Sequence, residues 1–249
     1  MSNAKKTFFG ALVVSFLALA GCSNAPLSAP TDSATAAVAR SSNTPTSEPQ
    51  SEEASPSGEE LKAYFEALAT DDPNRMLDAK DLAAPDSNAE AYAIYLSASA
   101  QAQRDGGLQK PPSNASKIEG GFSLCPAVVA TGEGCFKYTN IEHDGDRIAN
   151  FNAGGTPISD RLALGNGKSQ PLGEIGQAKL IASYKTISDN VAIVFEVVSK
   201  SNGLFLVATY VAPNGRQSES AASNGPMNLS YGSFDNYVFY FEGPSLEEK

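Results

Sequence analysis

The sequence predicts an α+β protein, a helical segment packed on a curved antiparallel sheet and followed by a β-sandwich domain. Between residues 58 and 105 the apolar side chains recur at helical spacing behind capping residues, and after Pro111 and Pro112 the pattern changes to alternation broken by turn residues. A third observation sets the folded part apart from the segment before it. Residues 23–55 are mainly Ser, Ala, Thr and Pro with almost no large apolar side chains, a composition that cannot bury a core.

The helices come first. Ser57-Gly58-Glu59-Glu60 reads as a capping box before Leu61, Tyr64, Phe65 and Leu68, whose i, i+3, i+4, i+7 spacing marks one apolar helix face. A second short helix is expected after Asp72, with Pro73 at its first position and Met76 and Leu77 on its buried side. Ser87 and Glu90 form another capping box, opening a longer helix through Tyr92, Tyr95, Leu96 and Ser99 that Gly106 and Gly107 end. Phe122 and Leu124 lead into Cys125, and a hairpin spans 138–151 with Asp144 and Gly145 at its turn. Residues 160–168 read as a boundary strand and link. Further strands are expected at 178–187, 191–199, 204–211 and 236–242, with turn signals at Asp189-Asn190, Asn202-Gly203 and Pro213-Asn214-Gly215. Short strands at this spacing indicate a sandwich.

The amino-terminal segment carries a different message. Lys5 and Lys6 precede an uncharged, mostly apolar run over 8–20. A membrane-spanning helix needs roughly 20 apolar residues, so this shorter run reads as the removable h-region of an export signal. It closes in Leu19-Ala20-Gly21-Cys22, which resembles the lipobox of bacterial lipoproteins. The resemblance implies cleavage after Gly21 and a diacylglyceryl group on Cys22, whose two acyl chains are of the palmitate type. The chain would then be lipid-anchored at the extracytoplasmic face of the cell membrane. The expected organisation is a signal peptide over 1–21, a disordered tether over 22–56, a cone-like α+β domain over 57–168 and a sandwich domain over 169–249. As a flexible coil, a tether of about 33 residues has an r.m.s. span on the order of 30 Å.

Charge and cysteine count narrow the functions. The chain has 18 basic against 28 acidic residues, a net charge of -10, and loss of Lys5 and Lys6 with the leader makes it more acidic still. Such a surface repels nucleic-acid backbones and anionic headgroups, so no nucleic-acid partner is expected and the lipid must supply membrane attachment. With Cys22 lipidated, Cys125 and Cys135 remain as an even pair in an oxidising compartment and are expected to form a disulfide. A zinc site would need further ligands, and His143 is the single histidine.

No catalytic signature emerges, and neither a catalytic residue, a cofactor nor a metal ligand is assigned. There is no GxSxG elbow, and the S-x-x-K spacing from Ser2 to Lys5 falls in the expected leader. His143 beside Glu142, Asp144 and Asp146 is the one acid/base set, and it reads first as a solvated turn. Asp144-Gly145-Asp146 suggests a tight turn rather than a calcium loop, which requires a longer run of oxygen ligands. Aromatic residues crowd the last strands at Tyr231, Phe234, Tyr237, Phe239, Tyr240 and Phe241. Alternation places Tyr237, Phe239 and Phe241 on one face, expected to be core, and Val238 and Tyr240 on the other.

Helices followed by an antiparallel sheet resemble the cone-shaped fold of the nuclear-transport-factor-like superfamily, through ELKAYFEALATDDPNRM, AEAYAIYLSASAQ and YTNIEHDGDRIANF within residues 57–160. The remainder of the chain resembles an immunoglobulin-like sandwich of exported lipoproteins from high-GC Gram-positive bacteria. The first resemblance implies a candidate ligand pocket lined by Tyr64, Tyr92, Tyr95, Phe122, Tyr138 and Phe151, suited to an apolar or aromatic molecule. The combined expectation is a non-catalytic, lipid-anchored module whose partners are the membrane and an envelope protein or small ligand. A carrier or enzyme using the cone cavity, and a cell-wall spacer, are the alternatives.

Overall fold

Helix α1 (Gly58–Leu68) forms where the apolar stripe indicates, burying Tyr64, Phe65 and Leu68 on one face and leaving Leu61 half-buried. The computed structural model describes residues 13–15, 58–127, 134–203, 206–211, 215 and 217–242, so Ser57 and the expected tether lie outside the described residues. In α2 (Pro73–Asp78) the Asp72 carboxylate accepts the Asn74 N–H at 3.0 Å and Pro73 occupies the first turn, where its missing N–H costs nothing. Pro73 is the buried residue of this helix, and Met76 and Leu77 are half-buried. A 3₁₀ turn (Ala79–Leu82) leads to α3 (Asn88–Asp105). Its N-terminus is closed from both sides: Ser87 Oγ accepts from Glu90 N–H, and Glu90 Oε2 accepts from Asp86 N–H.

The strands are β1 (Val13–Ser15), β2 (Ser113–Ile118), β3 (Gly121–Pro126), β4 (Phe136–Asp144), β5 (Arg147–Ala153), β6 (Thr156–Pro157), β7 (Leu162–Leu164) and β8 (Ser169–Pro171). They continue with β9 (Gly176–Lys185), β10 (Val191–Ser199), β11 (Val207–Val211), β12 (Gln217–Glu219), β13 (Ala222–Asn224) and β14 (Phe234–Phe241). β2 to β6 form an antiparallel sheet in sequence order, with Gly145 at positive φ in the β4–β5 turn. A six-stranded sheet runs β13-β14-β10-β9-β7, with β8 also paired to β9. β11 pairs with β12 and, in parallel, with β1, which lies within the apolar run of the expected leader. The fold class is therefore α+β, with three α-helices among the described residues packed against antiparallel sheets.

Both β7 and β8 pair with β9, so the expected boundary at 168/169 falls between two strands of one sheet. That sheet has two apolar faces. Ala182, Tyr184, Ala192, Val194 and Val238 join the core formed by the helices and the β2–β6 sheet. Phe195, Val197, Tyr237, Phe239 and Phe241 face the other way, against Leu172, Leu206, Ala208 and Leu229. A bulge in β9 makes this arrangement. Val194 pairs with Ala182 but the next residue, Phe195, pairs with Leu180, so Ile181 is an extra residue that shifts side-chain parity. Ala178 and Leu180 accordingly face one core, and Ala182 and Tyr184 the other.

Cys125 and Cys135 form a disulfide with Cα atoms 4.1 Å apart. It ties the end of β3 to the start of β4 across a loop of which residues 128–133 lie outside the described residues. On the loop-entropy argument, replacing both cysteines by serine lowers unfolding free energy by about 2–3 kcal/mol. Denaturant titration of the double variant measures this, and an unchanged midpoint would contradict it.

Candidate functional site

Three elements converge on a cavity of about 240 Å³. Helix α3 supplies Tyr92, Tyr95 and Leu96, whose i, i+3, i+4 spacing puts them on one face. β4 supplies Phe136 and Tyr138, two residues apart and so on the same side of the strand, and β9 with its following turn supplies Tyr184, Thr186 and Ile187. The β9 bulge is what turns Tyr184 toward this side of the sheet. The cavity is open at its mouth, where Ile187 is 62% exposed, while the four tyrosines that line it are buried.

The aromatic walls are mutually supported. Tyr95 packs on Tyr184 with ring centroids 4.9 Å apart, Tyr92 meets Tyr184 edge-on at 5.6 Å, and Phe136 contacts Tyr138 at 5.1 Å. Behind them Phe151 closes the floor, 5.4 Å from both Tyr92 and Tyr138.

The hydroxyl groups are unequally satisfied. Tyr92 and Tyr138 share a hydrogen bond at 3.3 Å. Tyr64, outside the cavity, donates to the Ala89 carbonyl at 2.8 Å. Tyr184 Oη is buried beside the Tyr92 hydroxyl, outside strict hydrogen-bonding geometry but near enough for the two phenols to interact. Arg161 packs its guanidinium over the Tyr184 ring, 5.0 Å from the centroid. Its Nε donates to the Lys185 carbonyl and one terminal nitrogen donates to the Ala153 carbonyl, whereas Nη2 is buried without a partner. Arg161 is 9% exposed and forms no ion pair with a carboxylate among the described residues.

Burial pushes the phenols of Tyr92, Tyr95 and Tyr138 well above the ordinary value of 10.0. Tyr184 is raised by the same cause, with the positive charge of Arg161 opposing it. All four hydroxyls therefore stay protonated at neutral pH and act as hydrogen-bonding groups, not as bases. No carboxylate, imidazole or amine among the described residues lines the cavity.

Of the residues expected at a pocket, Tyr92, Tyr95 and Tyr138 line this one. Tyr64, Phe122 and Phe151 are in the filled core beneath it, where Phe65 stacks on Phe122 at 4.8 Å and meets Phe151 at 5.6 Å. Sequence reasoning does not place Phe136, Tyr184, Thr186 or Ile187 at the pocket, nor Arg161 over the Tyr184 ring. The one signal is the Ala182–Tyr184 alternation in the strand expected at 178–187, but the sequence reading puts that strand in the other domain. His143 is exposed on β4 and does not line the cavity. No group of three His, Cys, Asp or Glu residues converges among the described residues. Cys22 lies outside the described residues, and no helix among those described is long and apolar enough to cross a membrane.

The aromatics of the last strands divide by position. Tyr237, Phe239 and Phe241 are buried in the second core, Val238 and Tyr240 pack toward the first, and Tyr231 and Phe234 are exposed. Comparison with family models, curated proteins and solved structures finds no match to this chain.

Proposed function

We propose that this chain is a lipid-anchored envelope protein, held by a diacylglyceryl group on Cys22, that binds a small apolar ligand in the tyrosine-lined cavity without catalysing a reaction on it. One observation carries the binding reading: a cavity of about 240 Å³ open at one side and walled mainly by aromatic and aliphatic side chains. Filled cores leave no such space, whereas ligand sites are concave and mostly apolar. An engineered apolar cavity of about 150 Å³ accepts benzene, so this one has room for a bicyclic ring. The protonated phenols, with no acid or base among the described wall residues, favour binding over catalysis.

The anchoring reading rests on Lys5, Lys6, the short apolar run and the lipobox-like Leu19-Ala20-Gly21-Cys22. Cleavage before Cys22 removes β1 and leaves β11 paired with β12 alone. We further read the six-stranded sheet, the apolar layer headed by Phe195 and Phe239, and the β11–β12 pair as an immunoglobulin-like sandwich. The helices with β2–β6 are correspondingly read as the cone-like unit.

Thermal unfolding of the full chain with and without saturating naphthalene tests the binding reading. The probe is expected to raise the midpoint, because a ligand that binds only the folded state stabilises it. Ile187→Glu, which sets a charge at the exposed mouth without disturbing the core, is expected to abolish the shift. No shift in the unaltered chain would sink the reading.

A further inference from the structure

We infer that Ile187, seated on Gly154, sets the width of the pocket mouth and so restricts the ligand to compact molecules of one or two rings. The inference rests on the proposed binding function and adds the residue that decides which sizes are admitted.

Two turns from different sheets meet at the mouth. Gly154 lies in the β5–β6 turn at φ +63°, and its N–H donates to the Lys137 carbonyl at 2.9 Å, which holds it beside Phe136 on the cavity wall. Ile187 lies in the β9–β10 turn and also lines the cavity. A Cβ atom at position 154 would stand 2.7 Å from Ile187 Cγ2 and 3.4 Å from Phe136 Cζ. The first distance is well inside the contact separation of about 3.5–4.0 Å between carbon atoms. The Ile187 side chain therefore reaches from one turn to the other across the edge of the cavity, and only a residue without a side chain at 154 lets it rest there.

The turn that carries Ile187 is fixed from within. The Thr186 N–H donates to the Asn190 carbonyl at 2.7 Å, the Asp189 N–H donates to the Thr186 carbonyl at 3.0 Å, and the Lys185 ammonium pairs with the Asp189 carboxylate at 3.0 Å. Ile187 is thus held at the mouth although 62% of its surface remains exposed. The cavity behind it, about 240 Å³, has room for two fused rings, so a third ring must project through the mouth and meet Ile187. A side chain that only contacts the ligand weakens every ligand alike when it is trimmed. A side chain that limits width, when trimmed, favours the larger ligand over the smaller.

Naphthalene and phenanthrene, which differ by one fused ring, separate these outcomes. Each is equilibrated by dialysis with the full chain carrying Cys22→Ser, so that no lipid or detergent takes up the probe, and is read by its own fluorescence. With Ile187 in place, phenanthrene is expected to bind at least about tenfold more weakly than naphthalene. Ile187→Ala is expected to raise phenanthrene affinity about tenfold while changing that of naphthalene by less than about threefold. Because Ile187 is largely exposed, the same substitution is expected to leave the melting midpoint nearly unchanged, so altered selectivity is not altered folding. Gly154→Ala puts a side chain into the seat and is expected to lower the midpoint, and to lower it less in a chain that already carries Ile187→Ala, where the clash is gone. Comparable affinities for the two probes with Ile187 in place, no gain of phenanthrene affinity in Ile187→Ala, or an equal effect of Gly154→Ala in both backgrounds overturns the inference while leaving the binding function standing. Failure of naphthalene to bind with Ile187 in place overturns both.

Discussion

Phe65→Ala lowers the free energy of unfolding by about 3–5 kcal/mol, the range for truncating a fully buried aromatic ring. Phe65 is wholly shielded from solvent and sits at the centre of the first core, stacked on Phe122 and in ring contact with Tyr64, Tyr138 and Phe151. Alanine removes the transfer free energy of the ring and leaves a void that the surrounding aromatics cannot fill without leaving their own contacts. Domains of this kind are stable by about 5–15 kcal/mol, so the loss takes a large fraction of the total. Phe234→Ala is the contrasting substitution. Phe234 is 71% exposed, and its removal is expected to shift stability by no more than about 0.5 kcal/mol. Urea titration of the two variants measures both values. Equal effects would show that the core is not where the packing places it.

Cys22→Ala is expected to abolish lipid-dependent membrane retention on the proposed anchoring. The variant chain either accumulates as an uncleaved precursor or appears in the medium, and it incorporates no labelled fatty acid. The expected effect is close to all-or-none because no helix among the described residues is long and apolar enough to span a membrane. The chain's acidity opposes anionic lipid surfaces, and a leader run shorter than the roughly 20 residues of a spanning helix is a poor anchor once separated from its lipid. Cell fractionation with acyl labelling checks this. A Cys22→Ala chain that is cleaved at the leader and still stays with the membrane in the amount seen for the unaltered protein would rule out the lipid as the anchor.

How far the architecture was legible depended on whether its causes were local. Asp72, Pro73, Ser87 and Glu90 act within one helical turn, and the structure finds each in the capping role its spacing indicates. The β4–β5 hairpin at Asp144-Gly145 and the disulfide were legible for the same reason, since turn chemistry and an even cysteine pair need little knowledge of the rest of the chain. The continuity of the sheet across 168/169 was not. It depends on β7 and β8 both pairing with β9, a non-local arrangement that no residue pattern announces. Alternation also misleads in β9, where the extra residue Ile181 places Ala178 and Tyr184 in different cores despite their equal parity.

The candidate site was half legible on the same grounds. Tyr92, Tyr95 and Tyr138 belong to elements whose faces could be read from spacing. Tyr64, Phe122 and Phe151 are chemically similar, and only three-dimensional packing distinguishes a ring on a filled floor from a ring on an open wall. Arg161 carried no signal at all, because its significance is that it is buried over Tyr184 without an acidic partner among the described residues.

The central claim, that the cavity between α3, β4 and β9 is a ligand site, is tested most directly by nuclear Overhauser contacts from bound naphthalene to isotope-labelled side chains of the full chain. Contacts are expected to the methyl groups of Leu96 and Ile187 and to the ring of Tyr184. Contacts confined to the exposed Met227, Tyr231 and Phe234, or no contacts under saturating probe, would contradict it.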